Sequence, residues 1–335
     1  MTLEPLAAAP AQYRDRRTGL IIFGILTALL GGLLLLFVPL MAAALFASAG
    51  KTAVAPNPQA VIPGMIVCGV LAVVFIWLGI GSMLCRRWAR ALLLVFSWTW
   101  LVMGVVALIY LAILLPQIAS AIDAAQPPGQ KPIPQGMKTA IMLTQAIFAF
   151  VVYVLIPGVL VLFYRSKHVK ATCEARDPVV RWTDRCPLPV LAVTLWAAVG
   201  AVAMLAFPFF YKGIVPFFGV FLSGITGSAV CVAIALLWGY AARAAYRLEL
   251  AGWWIMLVGT ILFAVSGFVT YMRHDLMEVY RLMGYPEAQI AQLQQLNVFH
   301  GPMLAWSTLA FAMPLVVYLL FIRRFFTRPA ASESR

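Results

Sequence analysis

Charge is scarce in this sequence. Asp, Glu, Lys and Arg make up 10% of its 335 residues, where a soluble domain carries about 25%, so a water-facing surface cannot be built from this set. Ionisable groups are missing altogether from the middle of every long apolar run. A charge buried in lipid is costly and, where kept, usually marks an ion or proton path. Its absence argues against a pump that couples to protons or cations through an intramembrane carboxylate. It also argues against a haem held by two imidazoles inside the helices. No Gly-rich phosphate loop precedes a helix, and neither HExxH nor GxSxG occurs. No catalytic or cofactor-binding residue is assigned on this reading, and no cofactor is expected. The five cysteines, Cys68, Cys85, Cys173, Cys186 and Cys231, form no secreted disulfide pattern.

Apolar length is plentiful. Apolar residues are 64% of the chain and the mean hydropathy is +0.96. Several runs exceed the roughly 20 residues needed to cross about 30 Å of hydrocarbon as helix. The runs are continuous rather than alternating with period two, which favours helices over a barrel. The expected fold is therefore all-α, with about eight transmembrane helices at Leu20–Ser48, Val61–Leu84, Ala91–Leu115, Ala140–Phe163, Pro187–Phe210, Ile214–Tyr240, Leu250–Tyr271 and Gly301–Ile322. The run behind Arg14, Arg16 and Arg17 is too long for the roughly 7–15 apolar residues of a signal peptide. With the N-terminus in the cytoplasm, 18 of the 24 Lys and Arg fall inside and 6 outside, as the positive-inside rule requires. The net charge of +13 thus belongs to short loops on one side of a membrane and not to a nucleic-acid surface.

The chain also repeats itself. Tyr13-Arg14-Asp15-Arg16, then Gly31 and Pro39, returns 169 residues later as Trp182-Thr183-Asp184-Arg185, then Gly200 and Pro208. Arg86, Arg90, Leu93 and Pro157 return 157 residues later as Arg243, Arg247, Leu250 and Pro314. A long first outer loop, Ala49–Ala60, set against a tight turn at Tyr211–Gly213, accounts for most of the gap between the offsets. The expectation is two parallel four-helix repeats: an N-terminal membrane half (1–164), a basic cytoplasmic linker (165–186) and a C-terminal membrane half (187–335). Of the outer loops, Pro116–Thr139 reads as irregular backbone. Met272–His300 reads as two short helices separated by Gly284-Tyr285-Pro286.

Few residues carry chemistry. Gly219, Gly224 and Gly227, with Ser223 and Ser228, make one face of the sixth span small, which suits close helix packing. His274, Asp275 and His300 flank one outer loop and form a weak candidate metal or acid–base site. In the linker, His168, Cys173 and Cys186 offer three of the four ligands a zinc site needs, none in CxxC form. The plainer reading of the linker is a packed segment with ion pairs, in which Asp15 and Asp184 lie just ahead of their spans and favour the helix N-termini.

The phrases Tyr13-Arg14-Asp15-Arg16-Arg17 and Thr172-Cys173-Glu174-Ala175-Arg176-Asp177-Pro178 … Trp182-Thr183-Asp184-Arg185-Cys186-Pro187 resemble a family of uncharacterised bacterial multi-pass inner-membrane proteins. The resemblance implies a bacterial inner membrane and carries no activity and no site. Two functions remain: a non-catalytic scaffold or accessory subunit of a membrane assembly, and a transporter or channel for a neutral or lipid-like solute between pseudo-symmetric halves. The expected partners are membrane lipids, with other membrane proteins or a second copy for a scaffold.

Overall fold

The computed structural model describes residues 13–48, 58–124, 134–295 and 301–327. Eight helices within them are long and apolar enough to cross a membrane, and the protein is an all-α multi-pass membrane protein. The first half comprises α1 (Arg17–Ser48), α2 (Pro58–Met83), α3 (Arg87–Ala124) and a fourth span made of α4 (Gln135–Phe150), a π-helical turn (Val151–Leu155) and α5 (Ile156–Arg165). The short helix α6 (Lys167–Arg176) and a 3-10 turn (Trp182–Asp184) join the halves. The second half runs through α7 (Leu188–Tyr211), strands β1 (Val215–Phe217) and β2 (Val220–Leu222), α8 (Gly224–Tyr246), α9 (Leu250–Arg273), α10 (Leu276–Met283), α11 (Glu287–Gln295) and α12 (Gly301–Ile322).

Helices pack in the same order in both halves: α1 on α2, α2 on α3 and α3 on α5, then α7 on α8, α8 on α9 and α9 on α12. Glycine sets how close the first pair comes. A Cβ on Gly24 would lie 2.8 Å from the Gly79 carbonyl oxygen, and one on Gly79 would lie 2.6 Å from that of Gly24, so the two backbones touch. The turns after α2 and α8 share a form as well. Arg86 N–H donates to the Gly81 carbonyl and Cys85 N–H to Ser82, around Cys85 at φ 54°. Glu249 donates to Ala244 and Leu248 to Ala245, around Leu248 at φ 61°. Both are Schellman closures in which a residue other than glycine takes the left-handed position.

Two apolar clusters sit toward the face that holds both described chain ends. One gathers Leu20, Leu78, Cys85, Leu93, Tyr164 and Cys173, the other Cys186, Val190, Leu191, Trp253, Leu319 and Ile322, and Leu188 packs against both. Across the halves Trp196 Nε1 donates to Thr99 Oγ1 at 2.9 Å, and Tyr318 O–H closes the second half on Pro189 O at 3.0 Å.

Several expectations need correction. The apolar run after Tyr211 does not continue as helix from Ile214. Val215–Leu222 folds as an antiparallel hairpin, and α8 starts at Gly224. Gly219, read as part of a small helical face, stands at the hairpin tip with φ 98°. The gap between the repeat offsets is consequently not a missing loop: α1 has 32 residues against 24 in α7, and α2 has 26 against 23 in α8. Arg86 and Arg243 also occupy different places, since Arg86 follows the α2 closure while Arg243 lies inside α8. Helix α3 carries on past Leu115 to Ala124, and α4 begins at Gln135, ahead of Ala140. Helix α2 begins at Pro58, ahead of Val61, while positions 49–57 of the first outer loop and the Pro-rich core of the second lie outside the described residues.

Candidate functional site

The basic face holds the densest polar chemistry, and it is a buckle that fastens the linker to the first half. Asp177 ends α6 almost fully buried, at 2% exposure. Its Oδ2 accepts the Arg87 backbone N–H at 3.3 Å, capping the start of α3 from another segment, while Oδ1 lies 3.5 Å from Arg86 and 3.6 Å from Arg181. A carboxylate at a helix N-terminus answers unpaired N–H groups and the positive end of the helix dipole together. The Arg87 side chain bridges Glu174 at 3.3 Å and Asp184 at 3.6 Å. Asp184 closes its own turn by accepting Arg181 N–H at 3.0 Å. Asp15 is tied differently: it accepts Arg17 N–H at 2.9 Å and pairs with Arg176 at 3.0 Å. Those contacts, the backbone one first, hold its carboxyl below the ordinary range. The two aspartates ahead of their spans therefore do different jobs.

The linker's candidate ligands are not gathered. His168 Nδ1 accepts Arg14 N–H at 3.3 Å, Cys173 packs in the first-half cluster and Cys186 in the second-half cluster. Burial pushes the Cys173 thiol up to about 12 and the Cys186 thiol up to about 11, so both are protonated and poorly nucleophilic at neutral pH. On the opposite face His274 Nδ1 lies 2.7 Å from Glu278 Oε2 and Nε2 lies 2.9 Å from Gly219 O, pinning the hairpin tip. Asp275 caps α10 by accepting Leu276 N–H at 2.7 Å. His300 lies outside the described residues. Among the described residues no three His, Cys, Asp or Glu side chains form a group that could hold a metal ion.

A different kind of site lies on the fourth span. Pro157 has no N–H to offer the Tyr153 carbonyl one turn back, and a π turn precedes it, with Ile156 N–H reaching Val151 O. Gly104 of α3 closes on that freed carbonyl; a Cβ there would collide with Tyr153 O. Beyond the turn, α4 packs on α3 and on its own continuation and buries Ala149 alone of its side chains. Its outer face carries Gly136, Ala140 and Thr144 four residues apart, all exposed. Ala140 and Thr144 line an open depression of about 410 Å³ on this face, together with Met137, Ile141, Gln145 and Phe148, all of α4. Gln145 is an exposed amide inside the span. The spacing is visible in the sequence, but nothing local marks this face as uncovered.

No family model, no curated protein and no solved structure matches the chain.

Proposed function

We propose that this chain is a non-catalytic scaffold or accessory subunit of a membrane assembly, and that the outer face of α4 seats a transmembrane helix of its partner. The observation that carries this reading is the Gly136–Ala140–Thr144 stripe beside an exposed Gln145 amide. Small residues let helix backbones approach, and an amide in hydrocarbon is stabilised by a hydrogen-bond partner on a neighbouring helix. The other hydroxyls in the spans support it, because many are already engaged within their own helices. Thr27 donates to Phe23 O, Ser97 to Leu93 O, Thr260 to Met256 O and Thr270 to Ser266 O, at 2.6–2.7 Å. Such groups stiffen a bundle and do not line a path.

The proposal places the chain in a bacterial inner membrane with both ends in the cytoplasm, since the basic residues concentrate on the face that holds both chain ends. It treats the halves as an ancient duplication, supported by their common packing order and their paired left-handed closures. Transport of a neutral or lipid-like solute is the second reading, favoured by Pro39, Pro208 and Pro314 within helices and Pro157 at the π turn.

The test is a photo-crosslinking residue at position 145 in native membranes, compared with one at Val202, an exposed site on α7. A discrete heavier protein adduct from position 145 alone is expected. Lipid adducts alone at both sites would overturn the scaffold reading, and solute flux through reconstituted liposomes would then favour the second.

A further inference from the structure

We infer that the groove between α1 and α5 at the basic face binds one anionic phospholipid, its phosphate at Arg16 and Ser166 and an acyl chain along Phe23, Val159 and Leu162. The groove measures about 380 Å³. Its inner wall is the tilted ring pair Phe23 and Phe163, with centroids 4.3 Å apart, and Leu162 lines it at 74% exposure. Phe23 lies two turns along α1 from Arg16, about 10 Å at 1.5 Å per residue, so the groove leads from the headgroup level into hydrocarbon.

Its mouth is polar and uncommitted. The Arg16 backbone N–H is engaged by Thr172 Oγ1 at 3.1 Å, but its guanidinium forms no ion pair among the described residues. Ser166 occupies the N-cap of α6 without making a side-chain cap bond, leaving the hydroxyl to donate elsewhere. Arg14, Arg17, Arg165 and Lys167 stand exposed nearby, while the adjacent carboxylate, Asp15, is taken by Arg176. A cationic rim over an apolar trough fits a ligand with a phosphate at one end and a hydrocarbon chain at the other. This inference stands apart from the α4 docking face and does not depend on it.

The test is the thermal stability of purified protein in mild detergent with added phosphatidylglycerol, phosphatidylcholine or sodium phosphate. Phosphatidylglycerol is expected to raise the melting temperature more than the other two. Arg16→Gln should need about fivefold more of it for the same gain, from the share one arginine contributes at an anionic surface. Arg243→Gln, an exposed arginine of the second half, should respond as wild type. Should Arg16→Gln fail to fold, Ser166→Ala reads out the same headgroup and is expected to weaken the response. Three results would overturn the site: an undiminished response in these groove variants, an equal gain from phosphatidylcholine, or a full gain from phosphate alone.

Discussion

The fourth spans of the two halves are similar in composition and differ in what covers them. Helix α12 lies along α9 and also touches α3 and α7; Gly301, Ala305, Leu319 and Ile322 are buried along its length. The fourth span of the first half is covered at one end only. There Tyr164, fully buried, shares a hydrogen bond of 2.8 Å with Ser82, whose Oγ donates to Leu20 O at 3.0 Å, and the α6 buckle closes beneath. Past the π turn, α4 faces outward. The first-half span is the more apolar of the two and the one left open past its π turn, so hydropathy alone does not set where a span is covered.

Breaking the covered parts should cost stability, and altering α4 should not. The largest effect is expected at the junction between them. Gly104→Ala drives a methyl into the Tyr153 carbonyl and should destabilise by about 3 kcal/mol, the upper range for overpacking, seen as a lowered melting temperature. Gly158→Ala, in the fourth span beside Pro157 with open space around it, should leave the melting temperature level or slightly raised.

Next comes the buckle. Asp177→Ala leaves Arg86 and Arg181 without their shared carboxylate and the start of α3 uncapped. With both arginines about 40% exposed, solvent screening reduces the buried-pair penalty, and about 2 kcal/mol is expected. Denaturant titration in detergent would measure it.

A direct contrast of the two spans should be smaller. Ala305→Leu inserts bulk at a fully buried site on α12 and should cost about 1–2 kcal/mol. Ala140→Leu on the open face of α4 should leave the isolated chain's melting unchanged while weakening any complex. Equal losses at both sites would erase the distinction.

The smallest effect concerns Asp15. Its folded carboxyl is held below the ordinary value, so its contribution is present at neutral pH and is lost as pH falls through the folded value. The melting difference between wild type and Asp15→Asn should be small at pH 7, begin to shrink near the ordinary carboxylate value of about 3.9 and vanish only below the lower folded value.

Much of this was legible in the residues, for reasons that also explain what was not. Eight apolar runs gave the spans, because a helix in lipid must satisfy its own backbone. Gly284-Tyr285-Pro286 marked the break between α10 and α11, and Gly284 does take the left-handed cap at φ 85°. The hairpin was hidden because Val215-Pro216-Phe217-Phe218-Gly219-Val220-Phe221-Leu222 is almost uniformly apolar, so periods of two and 3.6 cannot be told apart. Pro216 and Gly219 were the available signals. The Asp177 cap on α3 joins segments 90 residues apart, a pairing that no local pattern announces. The α4 face was legible as spacing and missed as exposure, because exposure depends on where the other helices go.

The central claim, that α4 is a docking face, is tested most directly by the mass of the assembly. Solubilised from native membranes in mild detergent, wild-type protein should give a defined native mass above the 36.6 kDa of the single chain. Gln145→Leu, with its melting temperature unchanged, should return the single-chain mass. A wild-type protein that is already a lone chain, or a Gln145→Leu variant that keeps the full assembly, would contradict the account.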